Sequence, residues 1–538
     1  MKRVKLIGLI AVLAIMAAAL SLTGCESING VEGICGQEDC NCNGVHNVCE
    51  QEDCNCDGIH DVCENGHFFA DWQENANFTV DEDDIIIYTK TGTCAACGEI
   101  DEQRTGEIIP DAVIDLADGT GDITENANGK ILIKGVSNGE RSIVIENSTE
   151  VYIADNTVIT GSDNVNFEYT YSFGFQETYA AAVLVSGSTA VYGGGSSITI
   201  NGGGQYGAPQ DGTDLIYSAL LAENGDLEIY GMFGDFTGGI SAFGGDLMIF
   251  GAIGNITDDT AETATGIDTT GDLTISGTVG NITGNWNGIN AGGFIIISGT
   301  VGNITSIDGS GGITAQEYII ITATGTVGNI TSDGRYGNGI RAEDYVNILG
   351  TVGNITSSSG NLASGNYGNG IIASGINIFG MVGNITGGSG EGVDGGNGIR
   401  TYGFTGGHVT IYGTVGNITG GNGWKGGDGI RAYYSVMIYG IVGNITGGDG
   451  GYVPDDDDWD YGESVGGNGI VSGYYISSSG SRVTISGMVG NNTASAIKGG
   501  SGDIPGAQIC IFDDNYYPYE SYYNNFPKTS EPKPWVWF

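Results

Sequence analysis

The sequence is poor in basic residues, in histidine and in proline. Only 17 of its 538 residues are Lys or Arg, against 64 Asp and Glu, and the formal net charge is −47. This net charge repels the dense phosphate charge of nucleic acid, which makes nucleic acid a poor partner, and we expect none to bind. Eight prolines beside 99 glycines fit neither a collagen triplet nor a Pro-rich linker. Of four histidines only His408 lies in the repetitive region, which disfavours Ser-His-Asp and Cys-His enzymes.

Residues 1–24 have the layout of an export signal. Basic residues precede an apolar run, 6–20, that is shorter than the roughly 20 residues of a membrane span. The following Leu-Thr-Gly-Cys, 22–25, resembles the end of a bacterial lipoprotein signal. That resemblance implies cleavage before Cys25, a lipid on Cys25 and an extracytoplasmic protein anchored to a bacterial membrane, on the cell surface. A transmembrane anchor is the alternative.

Two adjacent 14-residue units, 37–50 and 51–64, follow the calcium-loop spacing D-x-[DN]-x-[DN]-G-x5-E. Alternate positions direct side-chain oxygens toward one centre, the Gly permits a sharp bend and the last Glu closes the cage. The predicted ligands are Asp39, Asn41, Asn43, Asn47 and Glu50 in the first unit and Asp53, Asn55, Asp57, Asp61 and Glu64 in the second. The first unit has fewer charged ligands, so we expect it to bind calcium more weakly.

The second unit resembles a thrombospondin type 3 calcium repeat, which implies a short calcium-loaded stalk over residues 25–66. Its additional cysteines depart from that family. They leave a zinc set of Cys54, Cys56, His60 and Cys63 open as an alternative. Ten cysteines remain beside Cys25, and in an oxidising compartment an even number suggests disulfides, so a disulfide-linked spacer without metal is a third possibility.

From about residue 230 the chain repeats the motif Gly-Asn-Ile-Thr, with the asparagine at positions 255, 281, 303, 329, 354, 384, 417 and 444. A repeat of about 25 residues indicates a solenoid. Each repeat contains two short β-branched segments and no helical period, so we predict an all-β parallel β-helix over residues 131–500. Val346 and Ile348 should point inward, and the repeated asparagines should form an internal hydrogen-bonded ladder.

The phrases Gly271-Asp272-Leu273-Thr274-Ile275-Ser276-Gly277 and Gly266-Ile267-Asp268 resemble a family of secreted bacterial β-helix proteins that bind carbohydrate. The resemblance implies one right-handed, pectate-lyase-like helix that binds acidic polysaccharide with calcium. Open solenoid ends require caps. We assign them to residues 67–130 and to the aromatic-rich tail, 501–538.

One outward position can be followed from coil to coil in the strand that contains Asn-Gly-Ile. Three of its members, Arg341, Arg400 and Arg431, offer planar forks for sugar carboxylates. Charge relief against nearby acids is the alternative, and catalysis, as by the arginine of a polysaccharide lyase, is another. We name this set the arginine file; its positions are Ser241, Asp268, Asn290, Thr314, Arg341, Ile372, Arg400, Arg431 and Val471.

Loops that follow the Asn-Ile-Thr corner carry Trp286, Tyr336, Trp424 and Trp459 on one expected edge. Exposed aromatic rings beside polar loops suit sugar stacking, although solvated Gly-rich loops are equally compatible with this pattern. The recurring aspartates of Gly-Asp-Leu could be paired glycosidase acids, but a corner role explains their repetition better.

The sequence therefore predicts a monomeric, lipid-anchored, adhesin-like protein that binds polysaccharide without transforming it. Two other functions remain open. One is a polysaccharide lyase or glycoside hydrolase of pectate-lyase-like fold, and the other is a structural surface rod or an adhesin for protein.

Overall fold

A computed structural model of the chain describes residues 69–94, 100–162, 166–170, 176–202, 215–259, 261, 263–334, 337–357, 368–390, 393–402, 407–451, 465–472, 482–490, 496–501 and 508–511. The chain divides into two compact units, Met1–Trp72 with Gly92–Asp101, and Gln73–Thr91 with Glu102–Phe538. Within the described residues, no helix is long and apolar enough to cross a membrane.

Three strands precede the repetitive part and form a small sheet in chain order. They are Phe69–Val80, Ile86–Cys94 and Ile100–Ile108.

The second unit contains three long sheets in which each coil hydrogen-bonds to the next in parallel. In the first sheet, each coil from Leu247 onward contributes two short strands separated by a bend. Its strands are Ala112–Asp115, Lys130–Lys134, Glu150–Ile153, Thr189–Gly194, Leu227–Met232, Leu247–Ile249, Ala252–Ile253, Leu273–Ile275, Thr278–Val279, Ile295–Ile297, Thr300–Val301, Ile319–Ile321, Thr326–Val327, Tyr345–Ile348, Thr351–Val352, Gly375–Ile378, Met381–Val382, His408–Ile411, Thr414–Val415, Ser435–Ile438, Ile441–Val442, Arg482–Ile485 and Met488–Val489.

The second sheet contains the Ile-Thr part of the repeated Gly-Asn-Ile-Thr motif. Its strands are Val158–Thr160, Thr199–Asn201, Phe236–Thr237, Ile256–Asp258, Ile282–Gly284, Ile304–Ser306, Ile330–Ser332, Ile355–Ser357, Ile385–Thr386, Ile418–Thr419, Ile445–Thr446 and Ile497–Lys498.

The third sheet contains the Asn-Gly-Ile motifs. It also contains one antiparallel strand, Asn166–Thr170, which pairs with Gln176–Ser186. Its other strands are Ile123–Glu125, Ile143–Glu146, Leu215–Glu223, Gly239–Phe243, Thr265–Thr269, Asn287–Ala291, Gly311–Ala315, Asn338–Ala342, Ile371–Ala373, Ile399–Thr401, Ile430–Ala432, Ile470–Ser472 and Ile509–Ile511.

The core is a set of aliphatic stacks that run along the axis of the helix. Ile275 pairs with Ile297 and Ile297 with Ile321, and all three are fully buried. Their neighbours in each strand point outward, as the period of two requires. Val346 and Ile348 are also fully buried. The predicted all-β parallel β-helix, and the inward direction of these two residues, are therefore confirmed.

Glycine at the bend of the first sheet has a steric cause. A Cβ built on Gly277 would overlap the carbonyl oxygen of Gly251, the equivalent residue of the preceding coil. Backbones approach so closely here that only a residue without a side chain fits.

The asparagines of the repeated Gly-Asn-Ile-Thr motif form a hydrogen-bonded ladder, but on the outer surface of the β-helix. Asn281, for example, is exposed, and its Oδ1 accepts the backbone N–H of Asn303 at 2.9 Å. The same bond continues through Asn329, Asn354, Asn384, Asn417 and Asn444. The prediction of an internal ladder for these residues is wrong, because Asn and Thr flank an inward-facing Ile and the period of two turns both outward.

A second ladder, which is buried, is formed by the asparagines of the Asn-Gly-Ile motifs. The side chain of Asn369 donates to Oδ1 of Asn338 at 3.1 Å, and the side chain of Asn397 donates to Oδ1 of Asn369 at 2.9 Å. Backbone N–H groups donate to the same oxygens. These amides are almost fully buried. Each buried oxygen thus satisfies two donors of the next coil, which buried polar groups require.

The two ladders predict different costs for one change. Asn397→Ala leaves the buried backbone N–H of Asp428 without the acceptor that now lies 2.9 Å away, and should lower the free energy of unfolding by about 1–3 kcal/mol. Asn384→Ala removes the equivalent acceptor of Asn417 at an exposed corner, where water replaces it, and should cost less than about 1 kcal/mol. Urea titration of both variants measures the difference. Equal losses, or a greater loss at Asn384, would contradict this assignment of the ladders.

Candidate functional site

The register of the third sheet aligns the residues of the arginine file, as the spacing of the Asn-Gly-Ile motifs predicts. Thr314 pairs with Arg341, Arg341 with Ile372 and Ile372 with Arg400. Arg400 then pairs with Arg431. Two guanidinium side chains therefore leave adjacent strands, about 4.8 Å apart, while Arg341 stands two coils away from the nearer of them.

Arg431 and Arg400 act on one buried carboxylate. Asp428 lies three residues before Arg431, and its Oδ2 is 3.4 Å from Nη1 of the arginine. The Asp428 side chain is almost completely buried, whereas that of Arg431 is 30% exposed. The guanidinium therefore reaches the surface while its acid stays inside.

Asp428 occupies the position of an asparagine in the buried ladder. Its Oδ1 accepts the backbone N–H of Asn468 at 2.7 Å and the side-chain Nδ2 of the same residue at 2.9 Å. Burial raises the pKa of Asp428, while the charge of Arg431, these hydrogen bonds and the charge of Arg400 act in the opposite direction. The ladder is neutral before this coil and acquires an acid where the two arginines lie side by side.

Asp428 was not among the predicted site residues, although the sequence contains a signal for it. Asp428 begins the motif Asp-Gly-Ile-Arg, whereas the preceding coil has Asn-Gly-Ile-Arg at 397–400. A departure from the repeated amide, three residues before an arginine, marks a carboxylate paired with that arginine.

Arg341 has a different environment. Its Nη2 lies 2.7 Å from Oε1 of Glu343, and both side chains are close to half exposed. The other carboxylate oxygen of Glu343 accepts the hydroxyl of Tyr402 at 3.0 Å. Burial and the charge of Glu343 raise the pKa of Tyr402, so this phenol stays protonated. For Arg341 the alternative of charge relief against a nearby acid describes the observed contact.

Two tryptophans of the expected edge, Trp286 and Trp424, lie between the second and third sheets but on distant coils. Trp286 is 36% exposed and follows the strand Ile282–Gly284. Trp424 is partly buried, follows the strand Ile418–Thr419, and its backbone N–H donates to the carbonyl of Val393. Five coil steps at about 4.8 Å separate these strands by roughly 24 Å, so one small ligand cannot touch both.

The aspartates of the Gly-Asp-Leu motifs form hydrogen bonds at the corners of the coils. Oδ1 of Asp226 accepts the backbone N–H of Asp246, and Oδ1 of Asp246 accepts that of Asp272, at 2.9 and 2.8 Å. Burial and the neighbouring charge of Asp246 raise the pKa of Asp272. Each acid thus serves the backbone of the next coil, which is the corner role that the repetition favours.

Several predicted site residues lie outside the described residues: Cys25, the ten calcium ligands between Asp39 and Glu64, the alternative zinc set, Tyr336 and Trp459. In the portions of the chain that the structure describes, no group of three or more His, Cys, Asp or Glu side chains is arranged to hold a metal ion.

Comparisons with known proteins add no further constraint. No protein-family model matches the chain, and neither a curated protein nor a solved structure matches it.

The pKa of Asp428 leads to a prediction about pH. Because the folded protein holds this carboxyl with a raised pKa, the ionised form costs stability as the pH rises from the acid range to neutrality. Asp428→Asn keeps the Oδ1 acceptor and removes the buried charge, so it should raise the melting temperature by a few degrees at pH 7. The gain should shrink toward pH 3, where Asp428 is protonated. Thermal unfolding at both values tests this, and a loss of stability at pH 7 would show that the ion pair with Arg431 outweighs burial.

Proposed function

We propose that this protein is a lipid-anchored, extracytoplasmic binding protein that holds an acidic polysaccharide along the third sheet and its flanking loops. The observation that carries the proposal is the side-by-side placement of Arg400 and Arg431 in a chain with 17 basic and 64 acidic residues. A rare cation placed twice on adjacent coils marks the position where an anionic ligand is best tolerated. Planar forks suit carboxylates because each can donate two parallel hydrogen bonds.

The spacing of the aromatic residues supports a long ligand. Trp424 lies on the same coil as Arg431, and Trp286 lies roughly 24 Å away along the same edge. A polymer can contact both, with an apolar sugar face against an indole and its carboxylates at the arginines. Tyr336 and Trp459 belong to loops of the same edge in this proposal.

Binding without catalysis accounts best for the acids near the arginines. Asp428 is buried and engaged by Asn468, and the aspartates of Gly-Asp-Leu accept backbone N–H groups. The lyase or hydrolase alternative rests on the raised pKa of Asp428 beside two arginines, and the rod or protein adhesin needs neither arginine nor tryptophan. The binding experiment separates the three.

Retention by immobilised polygalacturonate tests the arginine pair. Arg400→Gln with Arg431→Gln should weaken retention about tenfold or more, since each lost charge-assisted hydrogen bond is worth roughly 1.5–3 kcal/mol. Affinity electrophoresis with polygalacturonate and with a neutral glucan measures the apparent Kd, with and without EDTA.

Arg341→Gln is the matched control in the same file. Its guanidinium stands two coils from the pair and lies 2.7 Å from Glu343, a closer contact than the 3.4 Å between Arg431 and Asp428, so retention should fall less than about threefold. Trp424→Ala should weaken retention of acidic and neutral chains alike. Unsaturated or shortened product would favour the enzyme, and absence of retention on either polymer would favour the rod or the protein adhesin.

The N-terminal region completes the proposal. A lipid on Cys25 would hold the protein at the membrane, and calcium in the loops of 37–50 and 51–64 would stiffen the stalk by neutralising clustered carboxylates. Zinc held by Cys54, Cys56, His60 and Cys63 is the rival, because thiolates favour it over calcium.

Mass spectrometry of the full chain made in a bacterial host tests both parts. The denatured protein should begin at a lipid-modified Cys25, and the native protein should retain two calcium ions that EDTA removes. Asp53→Asn with Asp57→Asn should abolish retention of the tighter ion, because charge and geometry both contribute to that site. An unmodified Cys25 would refute the anchor, and retained zinc in place of calcium would refute the calcium stalk.

A further inference from the structure

One outward position of the first sheet is aromatic in four N-terminal coils and in three C-terminal coils, with Ser, Thr and Leu residues between the two groups and a serine after the second. We name it the aromatic file. The register that pairs Val151, Val191, Ile229, Ile249 and their successors also aligns the residue after each. Its positions are Tyr152, Tyr192, Tyr230, Phe250, Ser276, Ser298, Thr322, Leu349, Phe379, Tyr412, Tyr439 and Ser486.

The aromatic rings are stacked face to face along the axis. At the N-terminal end, Tyr192 and Tyr230 have centroids 5.1 Å apart with an interplanar angle of 15°. At the C-terminal end, the centroids of Tyr412 and Tyr439 are 4.8 Å apart at the same angle. Since each face is covered by the next ring, the file presents ring edges outward. Sugar stacking needs an exposed face, so this file is suited to apolar polypeptide rather than to carbohydrate.

The N-terminal end of the file is covered by the chain that precedes the helix. Phe78 contacts Tyr152 edge to face, with centroids 5.4 Å apart, and Tyr152 is almost fully buried. Ile86 packs in the same cluster with Leu132, and Tyr192 lies against it. Strands from outside the coils thus complete the packing of this end.

The C-terminal end carries a large exposed apolar surface. The side chains of Phe379, Tyr412 and Tyr439, together with those of a neighbouring file in the same sheet, are between 39% and 57% exposed. We call this set the C-terminal apolar patch: Phe379, Met381, Tyr412, Tyr439, Ile441 and Met488. Patches of several hundred Å² mark interaction sites, because leaving them in water costs roughly 25 cal/mol per Å².

The patch lies on the last four described coils of the first sheet, and the described chain ends at Ile511, on the last strand of the third sheet. The 27 residues that follow contain ten aromatic side chains, at positions 512, 516, 517, 519, 522, 523, 526, 535, 537 and 538. At about 3.3 Å per residue they reach roughly 90 Å, far more than is needed to cross one coil and return over three.

The occupant can be chosen among three classes by charge and connectivity. A second copy and an anionic membrane surface must both approach a molecule of net charge −47, which opposes association. A tail in the same chain has an effective concentration in the millimolar range at a surface within its reach, without any association step. Its residues 512–538 contain four acids and two lysines.

We propose that residues 512–538 fold back along the first sheet and cover the C-terminal apolar patch, as Phe78 and Ile86 pack in one cluster with the first rings of the aromatic file. In this proposal the tail protects the last coils from the side of the first sheet and does not cover the third sheet. This inference is independent of the ligand proposed above.

Photocrosslinking in the full chain tests the position of the tail. Tyr412→p-benzoylphenylalanine should crosslink to a peptide within 512–538 in a species of monomer mass, identified by mass spectrometry. Ser298→p-benzoylphenylalanine, in the polar stretch of the same file, is the control and should give no such crosslink. A crosslinked species of twice the mass, or no crosslink from position 412 to the tail, would overturn the proposal.

A second measurement does not require the unnatural residue. Met381→Lys and Ile441→Lys place charges in the patch without altering an inward position, and should speed chymotryptic cleavage within 512–538 about tenfold or more. Thr300→Lys, in the same neighbouring file, is the control, and circular dichroism confirms the fold of all three variants. Cleavage as slow in both patch variants as in the control would refute docking of the tail.

Discussion

Parallel hydrogen bonding between successive coils is the constraint from which the rest of this structure follows. Each coil pairs with the next in fixed register, as in Ile275, Ile297 and Ile321, so that inward aliphatic residues stack on their equivalents. A slip of one residue would turn that stack outward and bring polar side chains into the core. The register is therefore held by the burial of a continuous aliphatic column, to which each coil contributes only a few side chains.

Because the register is fixed, repeated sequence motifs become files of stacked side chains. The two asparagine files consist of the same residue type but lie in different environments. The asparagine of Gly-Asn-Ile-Thr bonds the next coil from an exposed corner, whereas that of Asn-Gly-Ile does so from the interior. The buried file tolerates few substitutions because each amide oxygen satisfies two donors. Its one described acid, Asp428, appears where two arginines reach the adjacent surface. That coincidence links the polar interior to the face that we propose for binding.

Charge is distributed unevenly around the helix. From Leu273 to Val489 the strands of the first sheet contain neither Asp nor Glu, although the chain has 64 such residues. Acids of the same region occur in turns that flank the third sheet, as Glu343 and Asp428 do. The first sheet can therefore accept apolar polypeptide, while ligands that need charge are better served by the third.

The sequence by itself determined the repeat, the parallel β-helix, the inward Val346 and Ile348 and the alignment of Arg341, Arg400 and Arg431. These depend on a period of two within strands and on a coil length set by recurring motifs, and both are local properties. Only the tertiary structure decided which asparagine file is buried, that Arg341 binds Glu343, that Trp286 and Trp424 lie five coils apart, and that the rings of the aromatic file stack on one another. Those outcomes depend on where the corners turn the chain and on how insertions between motifs displace the edge loops. The motifs themselves do not specify either, because the same asparagine side chain lies at an exposed corner in one motif and in the interior in the other.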